Sequence, residues 1–106
     1  MKYLLLIHLD ENQPPPPEAM ERYMKLAEDL KAKGQWAGGA RLEHSSKAKT
    51  VRGGHVTDGP FAEAREQLGG FYLVDVATRA EAEAIAARIP AAAWGAVEVR
   101  PLLEMP

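Results

Sequence analysis

The sequence predicts an α+β chain of the ferredoxin-like, split βαβ type, with its elements in the order β-α-β-(hairpin)-β-α-β. Three observations predict it. Two runs, "KYLLLIHL" (2–9) and "GGFYLVDVA" (69–77), are apolar at consecutive positions, as strands in the middle of a sheet are. Two other segments carry helical periodicity, and a Gly-Gly pair sits between short β-prone stretches at mid-chain.

The elements follow in order. Residues 2–9 form a central strand, with both faces expected to be covered. "DENQPPPP" (10–17) is a stiff lead-in, because each proline fixes φ and the last suits a first helical turn. In the helix "EAMERYMKLAEDLKAKG" (18–34), Met20, Tyr23, Met24, Ala27 and Leu30 make one apolar stripe, and Gly34 is placed to cap the C-terminus. "QWAGGARLE" (35–43) is a weaker strand, where Gly38-Gly39 points to a bulge or a close backbone approach. "AKTVRGGHVTDG" (48–59) reads as a hairpin turning at Gly53-Gly54.

Next, "DGPFAEAREQLGG" (58–70) leads into the second central strand. Its Asp-Gly-Pro opens a turn, Phe61 is expected to anchor the loop in the core, and Glu63, Arg65 and Glu66 fit a short helical segment. "TRAEAEAIAARI" (78–89) is a helix with Thr78 and Glu81 as a capping box. Its stripe is Ala82, Ile85, Ala86 and Ile89, and Pro90 ends it. "AVEVRPLL" (96–103) is the last strand, and Pro101 puts it at an edge. The first and third major strands are expected to be central and parallel. Two helices cover one face of such a sheet. The other face keeps Leu and Val, which a homodimer formed through that face would bury.

Composition bounds the rest. A chain of 106 residues fits a single domain, 1–106. With no cysteine, disulfides, thiolate zinc sites and cysteine nucleophiles are excluded. A net charge of -2 with both signs interspersed argues against nucleic acid as a partner. No apolar run reaches membrane-spanning length, and "MKYLLLIHLDEN" reads as a strand rather than a signal peptide. A cytoplasmic protein that binds neither membrane nor nucleic acid is the expectation. Phosphate loops, dinucleotide fingerprints and serine triads are missing, and three scattered histidines are a weak metal signal, so no cofactor and no metal are expected.

Taken together, "VTDGPFAEAREQLGGFYLVDV" (56–76) and "IPAAAWGAVEVRPL" (89–102), with "MKYLLLIHLDE" and "ERYMKLAEDLKAKG", resemble the DGPF-motif branch of the YCII-related proteins along the whole chain. The resemblance implies a ferredoxin-like subunit that forms a dimeric α/β barrel. It implies little about reaction. Some genes of this type lie beside those of alternative sigma factors. A few relatives in the broader group, including dehydrochlorinases, use a His–Asp pair. Here Tyr23 stands where that His falls, and Asp10 matches the Asp, so the pair is not kept.

Several residues remain as candidates. Asp58 either braces its own turn or serves as a general base at a pocket rim. His8 and Asp75 are polar groups near the ends of central strands. If those strands are parallel neighbours they form an acid–base pair. Otherwise His8 is a strand-end residue and Asp75 ties down the second helix. Tyr23 is either a core tyrosine or a catalyst. Arg65 or Arg100 is a candidate anion clamp for a carboxylate or phosphate, and Glu66 and Phe61 are candidate ligand contacts. Three readings follow: a module binding a small organic ligand between the sheet and the DGPF loop; a cofactor-free enzyme doing elimination or isomerisation on a small organic acid or aromatic; and a regulatory interaction partner.

Overall fold

The structure is a computed structural model that describes residues 1–104. Its elements are β1 (Lys2–Leu9), α1 (Ala19–Ala32), β2 (Trp36–Arg41), β3 (Lys49–Arg52), β4 (His55–Asp58), β5 (Gln67–Asp75), α2 (Arg79–Arg88) and β6 (Ala96–Pro101). Single 3-10 turns occupy Ser45–Lys47 and Pro90–Ala93. Four strands form one sheet in the order β2-β5-β1-β6, and β3 and β4 form a separate hairpin. The α+β, ferredoxin-like order is therefore the one expected, with β6 at an edge.

The strand directions differ from expectation. β1 and β5 are central neighbours but run antiparallel, with Lys2 opposite Asp75 and Leu9 opposite Gln67. Every other neighbouring pair in the sheet is also antiparallel. The reason is the hairpin. It turns the chain back between β2 and β5, so β5 enters beside β1 from the opposite end. β1 and β2 run parallel without touching, so their C-terminal ends share one edge with the starts of β5 and β6.

Both helices lie on one face. The core joins Tyr3, Leu5 and Ile7 of β1 and Tyr72 and Val74 of β5 to Leu26, Leu30 and Ile85 of the helices. Only alternate strand residues point there. Leu4, Leu6, Phe71 and Leu73 point the other way and are half-buried. The molecule is only 18 Å thick along its shortest axis, which fits one sheet and one layer of helices. The consecutive apolar residues thus reflect two faces, of which this chain covers one.

The α1 stripe is rotated from the sequence reading. Ala19, Leu26 and Leu30 are buried, whereas Met20 and Met24 are exposed. Leu26 rather than Met24 makes the contact because it lies in line with Leu30 and Tyr23 on the sheet-facing side. The helix ends in a Schellman motif. Gly34 has φ +70°, its N–H donates to Lys31 O (3.1 Å), and Gln35 N–H donates to Leu30 O (2.9 Å). In α2 all four expected residues are buried. Thr78 accepts from Glu81 N–H, and Glu81 reaches back to accept from Ala77 N–H, each at 3.2 Å.

The DGPF segment departs most from expectation. Phe61 is 73% exposed, and the Arg52 guanidinium lies over its ring at 4.8 Å. The hairpin before it pairs as a separate two-stranded sheet, and Phe61 lies outside the core cluster. Residues 59–66 are irregular rather than helical. Gln67 holds them instead, donating through Nε2 to Ala62 O (3.1 Å) and Ala64 O (2.8 Å).

The β2–β5 contact is as tight as glycine permits. A Cβ on Gly70 would lie 2.8 Å from the Ala40 carbonyl oxygen, whereas one on Gly38 would meet nothing within 4 Å. Gly70→Ala is expected to cost about 1–3 kcal/mol, the usual range for overpacking. Gly38→Ala should cost less than 1 kcal/mol, roughly the span of strand propensities. Urea unfolding of the two variants checks this, and equal midpoints would contradict it.

Candidate functional site

The shared edge of the sheet opens into a cavity of about 590 Å3 on the helix side. The Pro-rich loop and the start of α1 form one wall, and the end of β2 forms the other. Its floor is Gly69-Gly70, where missing side chains leave the sheet bare. Aromatic groups line it: Tyr23, Trp36, Tyr72 and Trp94. Trp36 packs edge-on to Tyr72, with ring centroids 5.0 Å apart, and folds back across Gly39. Tyr72 donates to Tyr23 O (3.1 Å), and the Tyr23 hydroxyl accepts from Ala91 N–H (3.2 Å). Burial pushes the Tyr72 phenol up to about 12, and the nearby Tyr23 adds to this. Burial also raises Tyr23, while its Ala91 bond and the Arg41 charge pull it down. Both phenols are therefore neutral near neutral pH.

Polar groups gather at the mouth. Arg41 ends β2 opposite Gly70, which offers no side chain to cover it. Across from it, Glu11 follows β1, and its side chain is only 14% exposed. Its carboxylate accepts from Ser45 N–H (3.0 Å) and from the Ser45 hydroxyl. His44 Nε2 lies 3.6 Å from the same carboxylate, and His44 Nδ1 accepts from Ser46 N–H (3.1 Å). That bond leaves the neutral ring's proton on Nε2, facing Glu11. The Ser45 hydroxyl bond holds Glu11 below the usual carboxylate range against a smaller opposing effect of burial. Glu11 thus clasps the loop after β1 to the turn after β2.

The residues singled out from sequence mostly lie elsewhere. Of them, only Tyr23 lines the large cavity. His8 is on the opposite sheet face, 3.4 Å from Glu98, which also pairs with Arg100 at 2.8 Å. Asp75 is at the other end of β1, beside the Met1 amine (3.2 Å) rather than the second helix. Antiparallel pairing separates His8 from Asp75. Asp58 is 86% exposed and ion-paired to Lys49 within the hairpin. Glu66 is exposed. Asp10 accepts from Asn12 N–H (3.0 Å) in its own turn. A second, polar cleft of about 420 Å3 runs between Glu11, Ser45 and the Pro60–Gln67 segment, with Arg65 on its rim. The proposed place between the sheet and the DGPF loop corresponds to this smaller cleft. Among the described residues no His, Asp and Glu cluster could hold a metal, and no helix is long and apolar enough to cross a membrane.

Glu11, Arg41 and His44 were missed. The available signal was topological. Antiparallel order brings the residues just after β1 and β2 to one edge, facing those just before β5 and β6.

A family model described as the YCII-related domain matches residues 1–106. An uncharacterized protein of Rhizobium meliloti (strain 1021) is 46% identical over 69 residues, which is 59% of this chain and 56% of that protein. The matched stretch thus spans little more than half of that relative.

The clasp is testable through pH. A carboxylate held below its ordinary value of 4.5 adds stability above that pH, and the gain is lost as pH falls through the folded-state value. Glu11→Gln is expected to lower the thermal midpoint by a few degrees near neutral pH, with the gap closing as the medium is acidified below 4.5. Circular dichroism melts across that range check it. A gap that persists undiminished in acid would contradict it.

Proposed function

The chain belongs to the YCII-related family, and from that premise we propose that it binds a small organic ligand in the cavity at the open edge of its sheet. One observation carries the reading: four aromatic side chains and a bare glycine floor enclose about 590 Å3, a size suited to a small molecule. The aromatic residues supply contact area, and the polar mouth supplies orientation.

The same proposal makes the protein a homodimer through its uncovered sheet face. Leu4, Leu6, Phe71 and Leu73 supply an apolar patch there, flanked by the charged Glu98 and Arg100 of β6. This is the layout of an interface with an apolar centre and a polar rim. Turnover lacks an equivalent argument. His8, Asp58 and Asp75 do not converge, so an enzyme would have to work through Tyr23 and the groups at the mouth. Docking of another protein draws support from the hairpin and the segment after it, where Val51, Val56 and Phe61 are all exposed.

Two measurements test the proposal. Light scattering is expected to give about twice the chain mass of 11.6 kDa, and Leu6→Lys is expected to return the monomer. A monomeric wild type would remove the dimer. The chain has two tryptophans, and both line the cavity. Titration with small aromatic fragments should therefore shift both indole N–H resonances in NMR spectra. Fragments that instead shift Phe61 and Glu66 would move the site to the DGPF loop.

A further inference from the structure

The geometry points to an anion-recognition site at the cavity mouth, in which Arg41 and the Tyr23 hydroxyl hold the carboxylate of a small acid with a flat apolar body. This rests on the cavity being the ligand site, and it names the class of ligand. The charges around the cavity are unequally committed. Glu11 is taken up by Ser45 and His44. Glu43 is paired with Lys47 at 2.6 Å. Arg41 has neither an ion-pair nor a hydrogen-bond partner among the described residues, although it lies on the wall facing the aromatic groups. Its guanidinium is thus the charge at the mouth with no counter-charge.

The second donor is Tyr23. Its hydroxyl oxygen accepts from Ala91 N–H, but its proton goes to no described group. Tyr23 and Arg41 both line this cavity, and the Arg41 charge acts on the phenol. A guanidinium and a phenolic O–H lining one cavity suit a carboxylate, which accepts at both oxygens. Behind them, Trp36, Tyr72 and Trp94 give a body of one or two fused rings flat surfaces to pack on. Arg41 is exposed and its cross-strand partner is Gly70, so no side chain from that position covers the guanidinium.

The test compares matched acids and amides. Benzoate and 2-naphthoate are titrated against benzamide and 2-naphthamide by calorimetry, using wild type, Arg41→Met and Tyr23→Phe. Wild type is expected to prefer each acid over its amide by about tenfold or more, the equivalent of one charge-assisted contact. Arg41→Met should abolish that preference by weakening the acids while leaving the amides within about twofold. Tyr23→Phe should reduce the preference by a smaller factor. Arg41 is exposed, so its replacement leaves the core intact, and circular dichroism verifies the fold of both variants. Equal binding of acids and amides by wild type, or a preference that survives Arg41→Met, overturns the anion site and leaves the cavity standing. Failure of wild type to bind any of the four overturns the cavity reading as well.

Discussion

In β1 the residues Tyr3, Leu5 and Ile7 turn to the helices, and in β5 Tyr72 and Val74 do the same, because the two strands pair antiparallel with Leu5 opposite Tyr72. Shifting β1 by one residue in that register would carry Leu4 and Leu6 into the core and expel Tyr3, Leu5 and Ile7. The pairing breaks step once, between Ile7 and His8. There β5 contributes Gly69-Gly70, and the sheet loses its side-chain cover. The same register that builds the core therefore ends it at the edge where the cavity begins.

The mouth follows from that edge. β1 and β2 deliver Glu11 and Arg41 to it, and the chain before β6 delivers Trp94. The Glu11–Ser45 clasp joins the first two loops. Leu30 and Tyr72 fix α1 and the aromatic wall on the sheet. At the far end of α1, Asp29 pairs with Arg88 at 2.8 Å and with Lys33 at 3.3 Å, tying the two helices on their solvent side. These pairs join half-buried Asp29 to two exposed cations, and the arrangement depends mainly on the packing beneath them.

Element types and order were legible in the sequence because periodicity and punctuation report them directly. Gly34, Thr78 and Pro90 each ended or began a helix where their chemistry requires it. Strand direction was not legible, since an apolar run reads the same in both directions. That is why His8 and Asp75 looked like neighbours. Phe61 was misplaced because a large aromatic residue normally signals burial, whereas here it follows the separate hairpin and packs beneath Arg52. Met24 was misplaced because helical spacing alone does not tell Met24 from Leu26. Arg41 and Glu11 carry no local motif. Their placement around one cavity exists only after β5 has been laid between β1 and β2.

The most direct test of the cavity as the binding site is a crystal structure of the protein grown with 2-naphthoate. The account predicts electron density for the ring system between Trp36 and Trp94, with its carboxylate within hydrogen-bond reach of Arg41. Density for the acid against the Pro60–Gln67 segment, with the aromatic cavity left to solvent, would contradict it.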